Sequence, residues 1–430
     1  LKGLVYLFAY ALGLSLTLLL IAKLGEKIVF KLEKYADPEG WFKKSLGVIF
    51  ILIGILIATG ADKKIESVLV RNNILNFVTL EQKILQKSVE EKKVLPEQSE
   101  EVESGGIETP KVQSESFDLE KVLAEKKRKY LKVQEIVAPS GYVNSGPFSL
   151  KDYVGKKVIL IDFVTYSCIN CQRTFPFLNA WYKEYEDDGL LIVGIHTPEF
   201  AFEKNIENVK KALDGFGIKF PVVLDNDYGT WKAYQNVYWP RKYLIDIDGF
   251  IVYDHIGEGK YEETEKKIQE LLAERKTRLG EGVNFSGAVS KTITEEKIES
   301  ASPEIYFGSM RNENLGNGLA FIFGEKDFVV PVDRKPNMLY LGGRWDVKPE
   351  YSESKGVAEV YFKYSAKKMF MVASSDSLQE VGVYENGKFL KNIKVKDSQL
   401  YTLLENQSKE SGEVMLKIPS GVKVFTFTFG

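Results

Sequence analysis

One short stretch of the chain places two cysteines directly after a strand that should be buried on both faces. Val158–Val164 reads VILIDFV, a continuous β-rich run of the kind found inside a parallel sheet. Cys168 and Cys171 follow, and they are the only cysteines among 430 residues. A helix that begins here carries both thiols at its N-terminus, where unpaired amides and the macrodipole favour a thiolate. The spacing predicts a redox pair, with Cys168 as the nucleophile and Cys171 as the resolving thiol.

Half of a zinc site is the main alternative for this cysteine pair. A structural zinc ion needs four ligands, and His196 and His255 are the only histidines of the chain. Neither histidine stands in a paired spacing with another ligand. We therefore expect no metal and no other cofactor.

Asp162 lies inside the predicted buried strand, where an ionised carboxylate costs several kcal/mol unless it is hydrogen-bonded or protonated. A raised pKa would allow Asp162 to exchange a proton with Cys171 while a mixed disulfide is resolved. The alternative is a side chain whose oxygens bind a neighbouring backbone group at the edge of the sheet.

Three further residues are candidates for substrate binding. Trp239 and Pro240 precede a predicted strand, and a cis bond between them would expose the preceding backbone for strand-like pairing with a substrate segment. An ordinary turn proline is the alternative. His196 ends a predicted strand beside the one that leads to Cys168, so it could line the substrate groove, together with Glu199. A plain surface histidine is equally compatible with the sequence.

The hydrophobic pattern predicts a multidomain chain with an α/β domain at 118–280 and an all-β domain at 284–430. In the first, strands and helices alternate around a mainly parallel sheet, and Asp248 with Gly249 forms a hairpin turn. In the second, short strands alternate with turns, which is typical of a jelly-roll-like sandwich. Four of its side chains could bind a glycan ring, although aromatic residues in a sandwich are more often core. They are Tyr306, Arg344, Trp345 and Tyr351.

The N-terminal part has the composition of a membrane anchor. Residues 4–22 and 45–61 are apolar runs close to the about 20 residues that a membrane-spanning helix needs. Six lysines lie between them, and the positive-inside rule places that loop in the cytoplasm and the rest of the chain outside. We expect a transmembrane segment at 1–61 within the lipid bilayer, then a helical stalk and a disordered linker at 62–117.

The overall charge argues against a nucleic-acid partner. The chain carries 58 lysines and arginines against 60 acidic residues, a formal net charge of -2. No large basic excess is available to neutralise a nucleic-acid backbone, so we expect no nucleic-acid partner.

Several of these segments together resemble the thioredoxin fold. Asp162 stands six residues before Cys168, as the buried aspartate of thioredoxins does, and Pro240 is similar to the cis-proline of that family. The extra strand and helix at 196–224 resemble the insertion of the TlpA-like branch. The match tightens to the DipZ type of membrane redox protein, whose C-terminal domain is similar to a carbohydrate-binding module. It rests on DFVTYSCINC, TPEFAFEKNIENV, YWPRKYLID, HIGEGKYEETE, PEIYFG, LGGRW and FTFTFG.

This resemblance implies a membrane-anchored, extracytoplasmic thiol-disulfide oxidoreductase that reduces protein disulfides. It further implies that the apolar runs are the tail of a CcdA/DsbD-like electron conduit. Neither run contains a cysteine, so either earlier helices of the conduit precede Leu1 or another membrane protein donates the electrons. Two other functions stay open: a thiol peroxidase, since Thr165 precedes Cys168 by three residues as in peroxiredoxins, and a non-enzymatic binder of envelope glycan.

Overall fold

The computed structural model describes residues 119–285, 287–296 and 298–430, which belong to one unit of the chain, Ser114–Gly430. The predicted membrane segment at 1–61 and the stalk and linker at 62–117 lie outside the described residues. Within the described part, no helix is both long enough and apolar enough to cross a membrane. An α/β region comes first and is followed by an all-β region, as the hydrophobic pattern predicts.

Six strands of the α/β region form one mixed sheet in the order β1-β4-β3-β2-β5-β6. Strands β2, β3 and β4 are parallel to one another, whereas the β1–β4, β2–β5 and β5–β6 pairs are antiparallel. The prediction of a mainly parallel sheet is therefore wrong. The hairpin turn is confirmed, since Gly249 has a φ of 79° between β5 and β6. The strands are β1 (Gly141–Val143), β2 (Val158–Val164), β3 (Leu190–His196), β4 (Val222–Leu224), β5 (Arg241–Ile245) and β6 (Ile251–Ile256).

Helices cover both faces of this sheet, which explains why every residue of β2 is buried. Alternate residues of a strand point to opposite faces. Leu160 and Val164 accordingly pack into one cluster with Cys171, while Ile161 and Phe163 pack into a second cluster on the other face. The described helices are α1 (Leu119–Lys129), α2 (Ile169–Tyr185), α3 (Ile206–Gly215), α4 (Gly229–Ala233) and α5 (Tyr261–Leu279).

The all-β region is hydrogen-bonded as one antiparallel sheet of nine strands. Strand β11 pairs with β14 along one edge. Along its other edge, 359–362 pair with β9 and 369–375 pair with β15. Strand β10 lies between β9 and β15 and pairs with both. The pairing of β11 with β14 is irregular at 366–370. The strands are β7 (Ile305–Tyr306), β8 (Gly324–Phe328), β9 (Leu339–Val347), β10 (Ser352–Ser354), β11 (Ala358–Ser375), β12 (Gln379–Glu385), β13 (Lys388–Val395), β14 (Gln399–Ile418) and β15 (Val422–Phe429).

The all-β prediction is confirmed by this region, but the two separate sheets of a sandwich are not observed. The long strands β11 and β14 pair with each other along most of their length, so hydrogen bonds join all nine strands into one network. Trp345 is fully buried in the core, and its indole Nε1 donates to the carbonyl of Gly342 at 3.0 Å. A glycan-stacking role for Trp345 is therefore wrong, and the alternative that it is a core residue is confirmed.

Candidate active site

Cys168 lies in the turn between β2 and α2 and occupies the N-cap of the helix. Its carbonyl accepts the first helical hydrogen bond, from the amide of Gln172 at 3.0 Å. Both cysteines are free thiols, and they differ sharply in burial: Cys168 is partly exposed, whereas Cys171 is fully buried. A helix that starts directly after a central strand thus presents one sulfur at the surface and holds the other one turn deeper.

The Cys171 thiol interacts with the side chain of Cys168. Burial raises the pKa of the Cys171 thiol well above its ordinary value, and the contact with Cys168 and the negative charge of Asp162 raise that pKa further. A backbone hydrogen bond with Thr165 lowers it in part. Cys171 therefore stays protonated at neutral pH and needs a proton acceptor before it can act as a nucleophile.

Asp162 is fully buried on the face of β2 that Cys171 covers. Neither carboxyl oxygen has a hydrogen-bond partner among the described residues. Burial raises the pKa of this carboxyl to about 7, and the positive charge of Lys242 opposes the rise. The alternative that Asp162 binds backbone groups at the sheet edge is wrong, because β2 lies in the middle of the sheet.

Lys242 is a residue of this site that the sequence reasoning missed. It lies on β5 directly opposite Asp162 in the antiparallel register and is fully buried. Its Nζ donates to the carbonyl of Gly257 at 3.4 Å. Burial lowers the pKa of the ammonium, while Asp162 and Cys171 raise it. The signal was a lysine two positions after Pro240, within a predicted strand of an α/β domain.

The predicted cis bond between Trp239 and Pro240 is present. Pro240 is buried, and its carbonyl accepts from the amide of Gly257 at 2.8 Å. Trp239 is half-buried, and its indole Nε1 donates to the carbonyl of Thr197 at 3.0 Å. The segment that carries both residues is thus held against the ends of the strands near the cysteines.

His196 lies at the end of β3 beside Val164, as predicted, but its side chain is fully buried. Its ring stacks on the ring of Tyr166 with 5.8 Å between the centroids. Neither ring nitrogen has a hydrogen-bond partner among the described residues, and burial lowers the pKa of the imidazole to about 4. Both the surface position and the groove-lining position are therefore wrong for His196. Its neutral ring instead packs against Tyr166 inside the protein.

Glu203 is a second residue that the sequence reasoning missed. Its fully buried carboxylate accepts from the Ser167 hydroxyl at 2.6 Å and from the Ser167 amide at 3.2 Å. Ser167 immediately precedes Cys168, so this carboxylate holds the turn that carries the exposed thiol. Glu199, the other groove candidate, instead contacts Arg311 and Tyr306 of the all-β region.

Among the described residues, no group of three or more histidine, cysteine and acidic side chains is arranged to hold a metal ion. His255, the second histidine, makes a 3.0 Å hydrogen bond with the carbonyl of Glu258. The cysteine pair itself lies against Asp162 and Lys242 and not against further ligands. Its surroundings therefore contain one buried carboxyl and one buried amine that interact electrostatically with Cys171.

Comparison with known proteins gives matches along most of the described residues. Residues 130–254 match the AhpC/TSA family, and residues 302–430 match the family described as thioredoxin like C-terminal domain. The chain is 36% identical over 296 residues to Protein DipZ of Mycobacterium tuberculosis, a match that covers 68% of this chain and 42% of that protein. It therefore spans about two fifths of the length of that relative.

Two further proteins are similar to the α/β region. The thiol-disulfide oxidoreductase ResA of Bacillus thuringiensis is 30% identical over 122 residues, which is 28% of this chain and 67% of that protein. A solved structure described as a thioredoxin-like protein in the oxidized form is 26% identical with a TM-score of 0.32, and the match covers 34% of this chain and 97% of that one. With a strand-to-helix turn that carries two adjacent free thiols, and with relatives named for thiol-disulfide exchange, the chain belongs to the thioredoxin-like thiol-disulfide oxidoreductases.

Proposed function

We propose that this protein is a membrane-anchored, extracytoplasmic reductase of protein disulfides. The observation that carries the proposal is the difference in burial between the two thiols: Cys168 is accessible and Cys171 is enclosed beside Asp162. An accessible sulfur can reach the disulfide of a folded client, while an enclosed sulfur can react only with a neighbour.

The proposed cycle has two exchange steps. The Cys168 thiolate attacks one sulfur of the client disulfide, and the other client sulfur leaves as a thiolate. The Cys171 thiol then gives its proton to the Asp162 carboxylate and attacks the Cys168 sulfur, which releases the second client thiolate. Two electrons have passed to the client, and Cys168 and Cys171 are left as a disulfide.

Return to the dithiol requires an electron donor, which we propose is a CcdA/DsbD-like membrane protein domain. The apolar runs at 4–22 and 45–61 support a membrane location, as does the likeness to DipZ. The lysine-rich loop between the runs supports an outward-facing redox region. Reporter fusions at residue 118 test this orientation. Activity of a fused reporter that works only in the cytoplasm would contradict it.

Reduction of insulin by the dithiol form tests the proposed cycle. Replacement Cys168→Ser should abolish the reaction, whereas Cys171→Ser should leave a mixed disulfide between Cys168 and the client that mass spectrometry detects. The two variants are matched, because each removes one sulfur from the same turn. Equal insulin reduction by the wild type and Cys168→Ser would overturn the proposal.

The equilibrium of the Cys168/Cys171 couple with glutathione tests the direction of electron flow. A reduction potential near that of thioredoxin, about -270 mV, is expected for a reductase. A potential near about -120 mV is that of an oxidant and would reverse the proposed direction.

Thiol peroxidase activity is a second candidate, favoured by the match of residues 130–254 to the AhpC/TSA family and by Thr165 three residues before Cys168. It predicts rapid oxidation of Cys168 by hydrogen peroxide to a sulfenic acid. A rate no higher than that of a free cysteine would exclude it. A glycan-binding role has less support, because Trp345 lies in the core and Tyr351 packs against Phe425.

A further inference from the structure

The loop that follows β3 is one place where the all-β region contacts the α/β region. Glu199 in this loop forms an ion pair with Arg311 at 2.7 Å and accepts from the hydroxyl of Tyr306 at 3.0 Å. The amide of Ala201 donates to the carboxylate of Glu350 at 2.8 Å. The guanidinium of Arg311 also stacks on the ring of Tyr306, 3.7 Å from its centroid.

Aromatic rings complete this contact. Phe200 is fully buried, and its centroid lies 5.1 Å from that of Phe425 on β15. Phe202 lies 4.8 Å from the same ring, measured between centroids. Polar bonds and buried aromatic area therefore hold the loop at 199–202 in one position against the all-β region.

Glu203 connects this docking loop to the active-site turn. One carboxylate oxygen accepts from the Ser167 amide and hydroxyl, and the other accepts from the amides of Glu199 at 2.6 Å and Phe200 at 3.0 Å. A single buried carboxylate thus joins the backbone that Arg311 anchors to the residue before Cys168. Arg311 itself touches neither cysteine.

We propose that Glu203 is a positioning residue for Cys168 and that the all-β region adjusts the reactivity of Cys168 through Arg311, Glu199 and Glu203. The physical basis is the N-cap position of Cys168, where the amides of the first helical turn stabilise a thiolate only if the sulfur is aimed at them. A displaced turn changes the distance between the sulfur and these amides. The inference rests on thiol-disulfide exchange at Cys168 and on neither the membrane location nor the identity of the client.

The test measures the pH dependence of alkylation of Cys168 by iodoacetamide in the full chain, with Cys171→Ser as the common background. Arg311→Met should slow alkylation at pH 7 by about threefold or more and move its midpoint to higher pH, because less of the sulfur is thiolate. Glu203→Gln should act in the same direction, since an amide has one acceptor oxygen where the carboxylate uses two. Arg311→Lys, which keeps the charge, should restore most of the rate.

The combination Arg311→Met with Glu203→Gln should slow alkylation no more than Glu203→Gln alone, because both act through one carboxylate. Lys211→Met is the matched control: Lys211 also forms an ion pair with the all-β region, to Asp397 at 2.8 Å, and both side chains are exposed. It should leave the rate unchanged, because among the described residues Lys211 makes no hydrogen bond to Glu199, Glu203 or Ser167.

An Arg311→Met rate equal to that of the Lys211→Met control would overturn the proposal, as would additive effects of Arg311→Met and Glu203→Gln. Arg311 is partly exposed at the surface, so its variants remain informative even where Glu203→Gln does not fold. Because alkylation needs no client or donor, it reports on this inference separately from the proposed reductase activity.

Discussion

Replacing Asp162 by asparagine should remove a pH-dependent loss of stability. The carboxyl has an ordinary pKa of 3.8 and a pKa of about 7 in the folded protein, because burial disfavours its charged form. A difference of about three units corresponds to about 4 kcal/mol, since each unit is worth about 1.4 kcal/mol. The side chain is fully buried, so solvent does not screen this effect.

The sign follows from proton binding. Between pH 3.8 and about 7 the folded protein keeps the Asp162 proton while the unfolded chain releases it. The free energy of unfolding contributed by this group is therefore present at low pH and is lost as the pH rises to about 7. His196 acts in the opposite direction, because its pKa is lowered to about 4.

Urea unfolding of the wild type and Asp162→Asn, both as dithiols, measures the effect between pH 4 and pH 8. Because His196 and the other buried groups are common to both proteins, the difference between the two unfolding free energies isolates Asp162. We expect the variant to gain about 4 kcal/mol relative to the wild type across this range. Asp214→Asn is the control, since Asp214 is 75% exposed and should give no such trend.

A difference between the wild type and Asp162→Asn that stays constant to within about 1 kcal/mol from pH 4 to pH 8 would refute the reasoning. It would mean that Asp162 titrates at its ordinary pKa, and the carboxyl would then not be a proton acceptor matched to neutral pH. The proposed transfer of a proton from Cys171 to Asp162 would lose its physical basis.

Three other changes have defined outcomes. As the pH falls from 6.5 to about 4, His196 should cost the wild type about 3 kcal/mol of stability, because the unfolded chain binds a proton that the buried ring does not bind. His196→Phe should remove this loss in urea unfolding, and an unchanged loss of stability over this pH range would contradict the prediction. Trp345→Ala should cost about 3 to 5 kcal/mol of stability by thermal unfolding, and a loss below about 1 kcal/mol would exclude the core assignment. Glu265 accepts from the amide of Ser290 at 2.8 Å, so Glu265→Ala should speed proteolysis near residue 290. Glu270→Ala on the same helix should not, because exposed Glu270 pairs with Lys267 instead; equal cleavage of the two variants would refute this.

The sequence predicted best those features that depend on neighbours along the chain. The bounds of β2 are confirmed as predicted, and so are the hairpin at Asp248 and Gly249 and the pairing of β3 beside β2. Cys168 at the start of a helix and Asp162 within a buried strand follow from the same local pattern. These features depend on local signals: strand runs, turn residues and the spacing of the two cysteines. Such signals can be recognised from the sequence alone.

Residues whose role comes from contacts distant in the chain were not predictable in this way. Lys242 is 80 positions from Asp162 but lies directly opposite it in the sheet. The residues around Lys242 do not indicate that it faces Asp162. Glu203 binds Ser167, which lies 36 positions earlier in the chain. Tyr306 looked like a glycan-stacking aromatic, but it contacts Glu199 across the boundary between the two regions.

By itself, the sequence determined the class of chemistry, because a dithiol at a strand-to-helix turn is defined by residues within one short segment. Only the tertiary structure decided which sulfur is accessible, that His196 is buried without hydrogen bonds, that the β-strands of the C-terminal region form one sheet, and that this region reaches the active-site turn. The physical reason is that burial, charge pairing and hydrogen bonding depend on which distant segments fold against each other. An amphipathic pattern predicts that a side chain is buried, but it does not identify the residues that bury it.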